Sequence, residues 1–111
     1  MTQERRTSLC DFCGIPHPIW VFPTEPFILR WRQLIMADIT NAWHACGKCS
    51  GAILQADWPC LRRSMLARHL PAMKHTRMTP DNVCEFVDTT IAEFRKHQLG
   101  RGHAVEGGVT Q

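Results

Sequence analysis

The sequence predicts an α+β fold that is mainly helical, with a short β-hairpin and a helix in its N-terminal half followed by two amphipathic helices. Three observations favour this class. A short apolar run lies between two Cys-x-x-Cys pairs and is flanked by prolines on both sides. This pattern is typical of a strand between turns. Two later stretches, DWPCLRR and TPDNVCEF, each place a capping side chain shortly before a proline, as helix starts do. With 111 residues, the chain is long enough for one domain with a modest core.

The N-terminal half contains two segments that should be extended and one that should be a short helix. Residues 19–22, IWVF, are apolar and lie between prolines, which indicates a short strand. Residues 42–45, AWHA, should lead extended into the second Cys pair, and a short helix is expected over residues 49–56.

The segment between these strands, residues 24–38, admits two interpretations. A helix is favoured because four apolar residues fall at helical spacing and Thr24 can serve as its N-cap. A strand over FILRW, residues 27–31, is the alternative, because aromatic and β-branched residues also suit strands. The four apolar positions are Phe27, Trp31, Leu34 and Ile35.

The first amphipathic helix is expected over residues 57–70. Asp57 is the expected N-cap, Pro59 lies in the first turn, and Pro71 should end the helix because proline disfavours helical geometry in the residue before it. The residues expected to face the core are Leu61, Met65, Leu66 and Leu70.

The second amphipathic helix, over residues 79–99, has the clearest pattern. Thr79 is the expected N-cap, Pro80 follows it, and Gly100 should stop the helix. One apolar stripe runs along it, formed by Val83, Phe86, Val87, Ile91 and Phe94.

The two Cys-x-x-Cys pairs predict a metal site. In such a turn two sulfurs can reach one ion, and the backbone N–H groups stabilise their negative charge. Two pairs with 32 residues between them therefore predict one four-thiolate site, and one structural zinc ion is the expected cofactor. A zinc ion closed by four ligands leaves no position for water, which argues against catalysis at the metal. The predicted ligands are Cys10, Cys13, Cys46 and Cys49.

Other interpretations of the thiols stay open. Iron could occupy the same four thiolates, as in rubredoxin-like electron carriers, although Ser50 replaces the glycine that usually follows the second pair there. A thioredoxin-like redox pair is disfavoured because neither pair lies in a strand–helix–strand unit. His17 or His44 could replace one thiolate. The remaining thiols, Cys60 and Cys84, fit core positions best.

The motifs resemble a known group of proteins. CDFCGIPHPIWVFP, AWHACGKCSGAI and DWPCLRRS are similar to segments of small uncharacterised treble-clef-like zinc-finger proteins of actinobacteria and their phages. The resemblance covers about residues 10–64 and implies a treble-clef-like arrangement with zinc ligation by the four cysteines. It implies no established activity, and residues 79–99 lie outside it.

The domain boundaries follow from composition and from the predicted metal site. Residues 1–9 are polar and predict a flexible lead, and residues 100–111 contain four Gly and predict a disordered tail. Residues 10–99 are expected to form a single zinc-binding domain. Its two zinc knuckles, which are the turns formed by the Cys-x-x-Cys pairs, and its first helix would occupy residues 10–56. Its helical part would occupy residues 57–99.

The positive charge of the chain is concentrated in one segment. Residues 58–80 carry five basic side chains and no acidic one, a pattern typical of phosphate contact. A solvated basic helix face is the alternative. The predicted nucleic-acid-binding residues are Arg62, Arg63, Arg68, Lys74 and Arg77.

These features together predict a non-enzymatic regulatory or binding protein. The chain has no G-x-S-x-G, phosphate-binding loop or H-E-x-x-H motif. Nucleic acid is the favoured partner, and a protein–protein adaptor or inhibitor is the alternative, with Trp31, Trp58 and the methionines at 65, 73 and 78 as possible anchors. No apolar run approaches the roughly 18 residues of a membrane span, so a cytoplasmic protein without a membrane partner is expected. Because no enzymatic motif is present, no small-molecule substrate is expected either.

Overall fold

The computed structural model describes residues 9–32, 34–39, 42–73 and 76–105. The predicted lead before residue 9 and the predicted tail from residue 106 onward lie outside these ranges. The described chain contains five strands and three helices: β1 Trp20–Pro23, β2 Phe27–Trp31, β3 Leu34–Ile39, β4 Ala42–Ala45, α1 Gly47–Leu54, α2 Trp58–Ala72, α3 Pro80–His97 and β5 His103–Ala104. The predicted α+β class is confirmed.

The three-stranded sheet joins the first strand of the described chain, β1, to the last strand, β5. Its order is β4-β1-β5 and both pairings are antiparallel, with Trp20 opposite Ala45 on one side and opposite Ala104 on the other. The short strands expected around residues 19–22 and 42–45 are therefore present. The pairing of β5 differs from the prediction of a disordered tail from residue 100, because His103–Ala104 lie on the edge of this sheet.

The favoured helix over residues 24–38 is wrong, and the alternative strand is present. β2 and β3 form an antiparallel hairpin in which Trp31 pairs with Leu34, with a register shift between Leu29 and Arg30. Burial in β2 alternates, since Leu29 and Trp31 are buried while Ile28 and Arg30 are exposed. The period of two, which fits a half-buried strand, therefore prevails over the helical spacing. As a result, strands make up more of the chain than the sequence suggested.

The two long helices begin where the sequence predicted. The Asp57 side chain accepts a hydrogen bond from the Cys60 backbone at 3.2 Å. Thr79 and Asn82 form a reciprocal capping box, with bonds of 3.1 and 3.3 Å. The ends differ slightly from expectation: α2 includes Pro71 and ends at Ala72, and α3 ends at His97, before Gly100.

An aromatic cluster joins the N-terminal turn to α3. Phe12, which lies between the first two cysteines, is fully buried, and its ring contacts Trp43 and Phe94 at centroid distances of 4.9 and 5.1 Å. Phe94 also meets Phe22 of β1 edge-on at 5.7 Å. Because Phe12 is anchored between cysteines, the position of the Cys turn and the packing of the main core depend on each other.

Candidate metal centre

The first Cys pair lies in a tight turn closed by backbone hydrogen bonds. The N–H of Cys10 donates to the Ile15 carbonyl at 2.8 Å, and the N–H of Gly14 donates to the Cys10 carbonyl at 2.9 Å. Gly14 has a φ of +82°, a left-handed conformation that favours glycine. This turn directs the Cys10 and Cys13 sulfurs to the same side.

The second Cys pair lies at the junction of β4 and α1. Cys46 is the N-cap of α1, and its sulfur accepts a hydrogen bond from the Cys49 N–H at 3.4 Å. Ser50 is buried inside the helix, where its hydroxyl donates to the Gly47 carbonyl at 3.2 Å. Because the chain enters α1 directly after Cys46, Cys49 and Ser50 are both helical, and no left-handed glycine is needed at position 50.

The four predicted ligands come together. The sulfurs of Cys10, Cys13, Cys46 and Cys49 all lie within 4.8 Å of one another, and those of Cys13 and Cys46 are 3.6 Å apart. Zinc–sulfur bonds of about 2.3 Å place tetrahedral sulfurs about 3.8 Å apart, so the cluster has the right size for one metal ion. Three of the thiols are buried and the Cys13 thiol is half-buried, which leaves the site nearly closed to solvent.

The surroundings favour negative charge on the Cys10 sulfur and oppose it on the sulfurs of Cys13 and Cys49, as the directions of their pKa shifts show. A hydrogen bond from the Cys49 thiol, together with backbone N–H groups of the turn, lowers the pKa of Cys10 to about 4, although burial opposes this shift. The same hydrogen bond and burial raise the pKa of Cys49. The two thiols therefore hold one proton between them, which a metal cation would displace as it binds four thiolates.

The first Cys turn is also fixed to β4. The Asp11 backbone N–H donates to the His44 carbonyl at 2.8 Å, and the Asp11 carboxylate accepts from the His44 backbone N–H at 2.7 Å. Burial raises the pKa of Asp11, although the bond from His44 opposes the shift. His44 and His17, considered as substitute ligands, do not belong to the sulfur cluster, and neither do Cys60 and Cys84.

The structure distributes the predicted nucleic-acid-binding residues over different surroundings. Arg62 forms an ion pair with Asp88 on α3, with 2.7 Å between Nε and Oδ1. Arg68 lies against the first Cys turn, next to Gly14. Arg63 is exposed in the first half of α2, and Arg77 is exposed five residues beyond the end of that helix. Lys74 lies outside the described residues.

A basic group that the sequence analysis did not single out lies at the start of α2. The Arg95 guanidinium of α3 stacks over the Trp58 ring at 4.5 Å, and both residues line a groove between α2 and α3 with Arg62 and Asp88. Arg95 is 37 positions from Trp58, so only the packing of the two helices brings them together. In the sequence, the only sign of this group is that Arg95 is a basic residue in the last turn of a predicted helix.

Comparison of the chain with protein-family models, with curated proteins and with solved structures finds no match. The resemblance to treble-clef-like zinc fingers therefore stays a prediction. None of the helices in the described ranges is long and apolar enough to cross a membrane.

Proposed function

We propose that this protein is a non-enzymatic binding protein whose fold is held together by one structural zinc ion on Cys10, Cys13, Cys46 and Cys49. The convergence of the four sulfurs carries this proposal. The surrounding residues also fit a structural ion, because Phe12 and Trp43 pack beside the cluster and leave it largely enclosed. Such an ion could supply apparent folding energy on the order of 10 kcal/mol, comparable to the stability of a whole domain.

The metal proposal is tested by elemental analysis of protein purified without added metal. One zinc per chain is expected, and cobalt substitution should produce the intense thiolate-to-metal absorption of a four-sulfur site. Removal of the ion with a strong chelator should abolish cooperative thermal unfolding. Iron as the only bound metal would support the rubredoxin-like alternative, and a metal-free protein with a fully cooperative transition would overturn the proposal.

The partner that we propose is nucleic acid, contacted at the groove between α2 and α3. Arg62, Arg95 and Trp58 meet there, and the exposed Arg63 follows Arg62 on α2. The Arg62–Asp88 ion pair is solvent-exposed, so it contributes little and a phosphate could replace the carboxylate. Arginine beside an aromatic ring is a combination that suits both phosphate contact and base stacking.

The nucleic-acid proposal is tested by fluorescence anisotropy with labelled duplex and single-stranded DNA. About three phosphate contacts should lower the affinity for duplex DNA about 40-fold between 50 and 200 mM salt. Replacing Arg63 and Arg95 with Ala should weaken binding strongly. Replacing Arg30 and Arg101 with Ala removes the same charge away from the groove and should have a much smaller effect. Absence of binding at low salt, or equal loss in both double variants, would contradict this partner.

A second candidate, docking on another protein, is favoured by the hairpin. Ile28, Leu34 and Ile35 are 45 %, 58 % and 63 % exposed, and large exposed apolar side chains in one place are typical of interaction surfaces. Such binding should tolerate salt and should be lost on Ile35→Lys. A photo-crosslinker at position 35, compared with one at the exposed Lys96, would identify a partner for reconstitution from purified components.

A further inference from the structure

The four cysteines of the metal centre differ in their access to solvent. Cys10 and Cys49 are 0 % exposed and Cys46 is 2 % exposed, whereas Cys13 is half-buried. A shallow cavity of about 290 Å³, open to solvent, is lined by Cys13 and Cys46 and has room for water-sized molecules. A small polar reagent therefore has its shortest path into the cluster at Cys13.

The four sulfurs also form two facing pairs, each of which joins the first Cys turn to the second. The Cys13 and Cys46 sulfurs are 3.6 Å apart, and the Cys49 thiol donates a hydrogen bond to the Cys10 sulfur. A disulfide needs a sulfur–sulfur distance of about 2.05 Å, so a small side-chain movement brings Cys13 and Cys46 into bonding distance. Cys13 therefore faces a thiol that can react with it, and this thiol belongs to the other turn.

Two basic side chains line the same cavity, and no acidic side chain is among the described residues that line it. Lys48 and Arg68 are both exposed, and Arg68 packs against Gly14, the residue that follows Cys13. When a thiolate cleaves a peroxide, negative charge develops on the departing oxygen, and a guanidinium or ammonium group nearby stabilises that charge. The charges that line the cavity therefore favour a reaction of Cys13 with a peroxide.

From the exposure of Cys13 and its distance to Cys46 we infer that Cys13 is a site of oxidation by peroxides. Cys46 converts the oxidised Cys13 into a disulfide, and the zinc ion is released as a result. This inference rests on the proposed function, because it requires that the four thiolates hold a zinc ion. It adds regulation to that site, since a peroxide then controls whether the structural ion is bound.

The reaction consumes one peroxide for each disulfide. The Cys13 thiolate attacks one oxygen of hydrogen peroxide, so that a sulfur–oxygen bond forms, the oxygen–oxygen bond breaks and hydroxide leaves. The Cys46 thiolate then attacks the Cys13 sulfur, a sulfur–sulfur bond forms, and a second hydroxide leaves. The two thiolates lose two electrons together, the peroxide gains them, and solvent protonates both hydroxides to water. Only Cys10 and Cys49 remain as ligands, which is too few for a closed zinc site.

The test uses the full, zinc-loaded protein and hydrogen peroxide as the probe. Zinc release is followed with a chromophoric indicator, and the remaining thiols are alkylated at successive times. Trypsin cleaves after Lys48, which separates Cys46 from Cys49, and fragmentation between Cys10 and Cys13 shows which of these two is linked. The Cys13–Cys46 disulfide is expected to form first, with one zinc ion released for each disulfide.

Two variants test the assignment of the reactive thiol. Cys13→His keeps four zinc ligands but removes this thiol, so peroxide should release zinc at least tenfold more slowly than from the unaltered protein. The matched control replaces both Cys60 and Cys84 with Ser. These two thiols are half-buried like Cys13 but lie outside the sulfur cluster, so the rate of zinc release should stay unchanged.

The outcomes separate this inference from the proposed function. Zinc that stays bound in peroxide-treated protein, a first disulfide between other cysteines, or equally fast release from zinc-loaded Cys13→His would each overturn the inference alone. A protein that carries no zinc before peroxide is added would contradict the proposed function, and the inference with it.

Discussion

Arg68 of α2 packs directly against Gly14 of the first Cys turn. A Cβ placed on Gly14 would lie 2.9 Å from the Arg68 Nε and 3.2 Å from its Cζ. Arg68 also lines the shallow cavity beside the Cys13 and Cys46 sulfurs. An arginine that the sequence predicts to contact phosphate therefore lies over the proposed metal site, whose four thiolates would carry a net charge of −2 with zinc.

Gly14→Ala should destabilise the metal-loaded protein. The substituted residue must keep a φ of +82°, which is strained for a residue with a side chain, and its Cβ must also displace Arg68. A strained backbone of this kind costs about 1–3 kcal/mol. Chemical denaturation should show this loss as a lower midpoint. Gly51→Ala is the matched control: Gly51 lies in α1 with nothing within 4 Å of its added Cβ, so helix propensity should make that change neutral or stabilising. Equal effects of the two substitutions would contradict this account.

Arg68→Ala should weaken metal binding through lost charge rather than lost folding. Removing the guanidinium takes one positive charge away from the thiolates, so zinc affinity should fall several-fold in a competition titration with a chromophoric chelator. Arg63→Ala, at an exposed position five residues earlier on α2, should leave zinc affinity unchanged. In the Arg68→Ala background, Gly14→Ala should cost less, because the steric part of its penalty is gone.

Replacing cysteines should divide them into two classes. Cys49→Ser removes a fully buried member of the sulfur cluster and should abolish stoichiometric zinc binding and cooperative unfolding. Cys60→Ser and Cys84→Ser should retain one zinc per chain with a modest loss of stability, since both thiols are half-buried and outside the cluster. Zinc measured by mass spectrometry under native conditions distinguishes the classes. Full zinc occupancy in Cys49→Ser would argue against this ligand set.

Local chemistry explains what the sequence could predict. The Cys turns, the Asp57 cap and the Thr79 capping box each depend on residues within three or four positions, so their patterns were sufficient. The hairpin was misassigned because its apolar residues fit helical spacing as well as alternation, and the choice depends on packing against α3. The Arg62–Asp88 pair, the Arg68–Gly14 contact and a cavity between the hairpin and the two long helices all join distant segments, which spacing cannot reveal.

Glu85→Gln should loosen the hairpin. One Glu85 oxygen accepts from the Trp31 indole and the Arg32 Nε, both at 3.1 Å, and the other accepts from Arg32 Nη2 at 2.7 Å. The neutral amide cannot accept all three bonds, so trypsin should cleave after Arg30 and Arg32 several-fold faster than in the unaltered protein. Asp88→Asn breaks the ion pair between α3 and Arg62 without touching the hairpin. It should leave the cleavage rate unchanged, and faster cleavage in both variants would indicate general loosening instead.

His69 should make the stability of the zinc-saturated protein depend on pH. Burial holds the folded-state pKa of His69 below its ordinary value of 6.5, with the charge of Arg68 adding to the shift. The folded state therefore favours neutral His69. Its contribution to stability is fully present above about pH 6.5 and is lost as the pH falls through the lowered folded pKa.

Urea denaturation at several pH values between 7 and 5, with zinc in excess, measures this dependence. His69→Gln should reduce the loss of unfolding free energy on acidification, because the glutamine does not titrate. His103→Gln, on the exposed strand β5, should keep the slope of the unaltered protein. Asp11 and Arg68 line the same cavity as His69, between the hairpin and the two long helices. Both are present in the two variants, so their effects on the pH dependence cancel in the comparison. An unchanged slope in His69→Gln would assign the acid sensitivity to the thiolates, which release zinc as they are protonated.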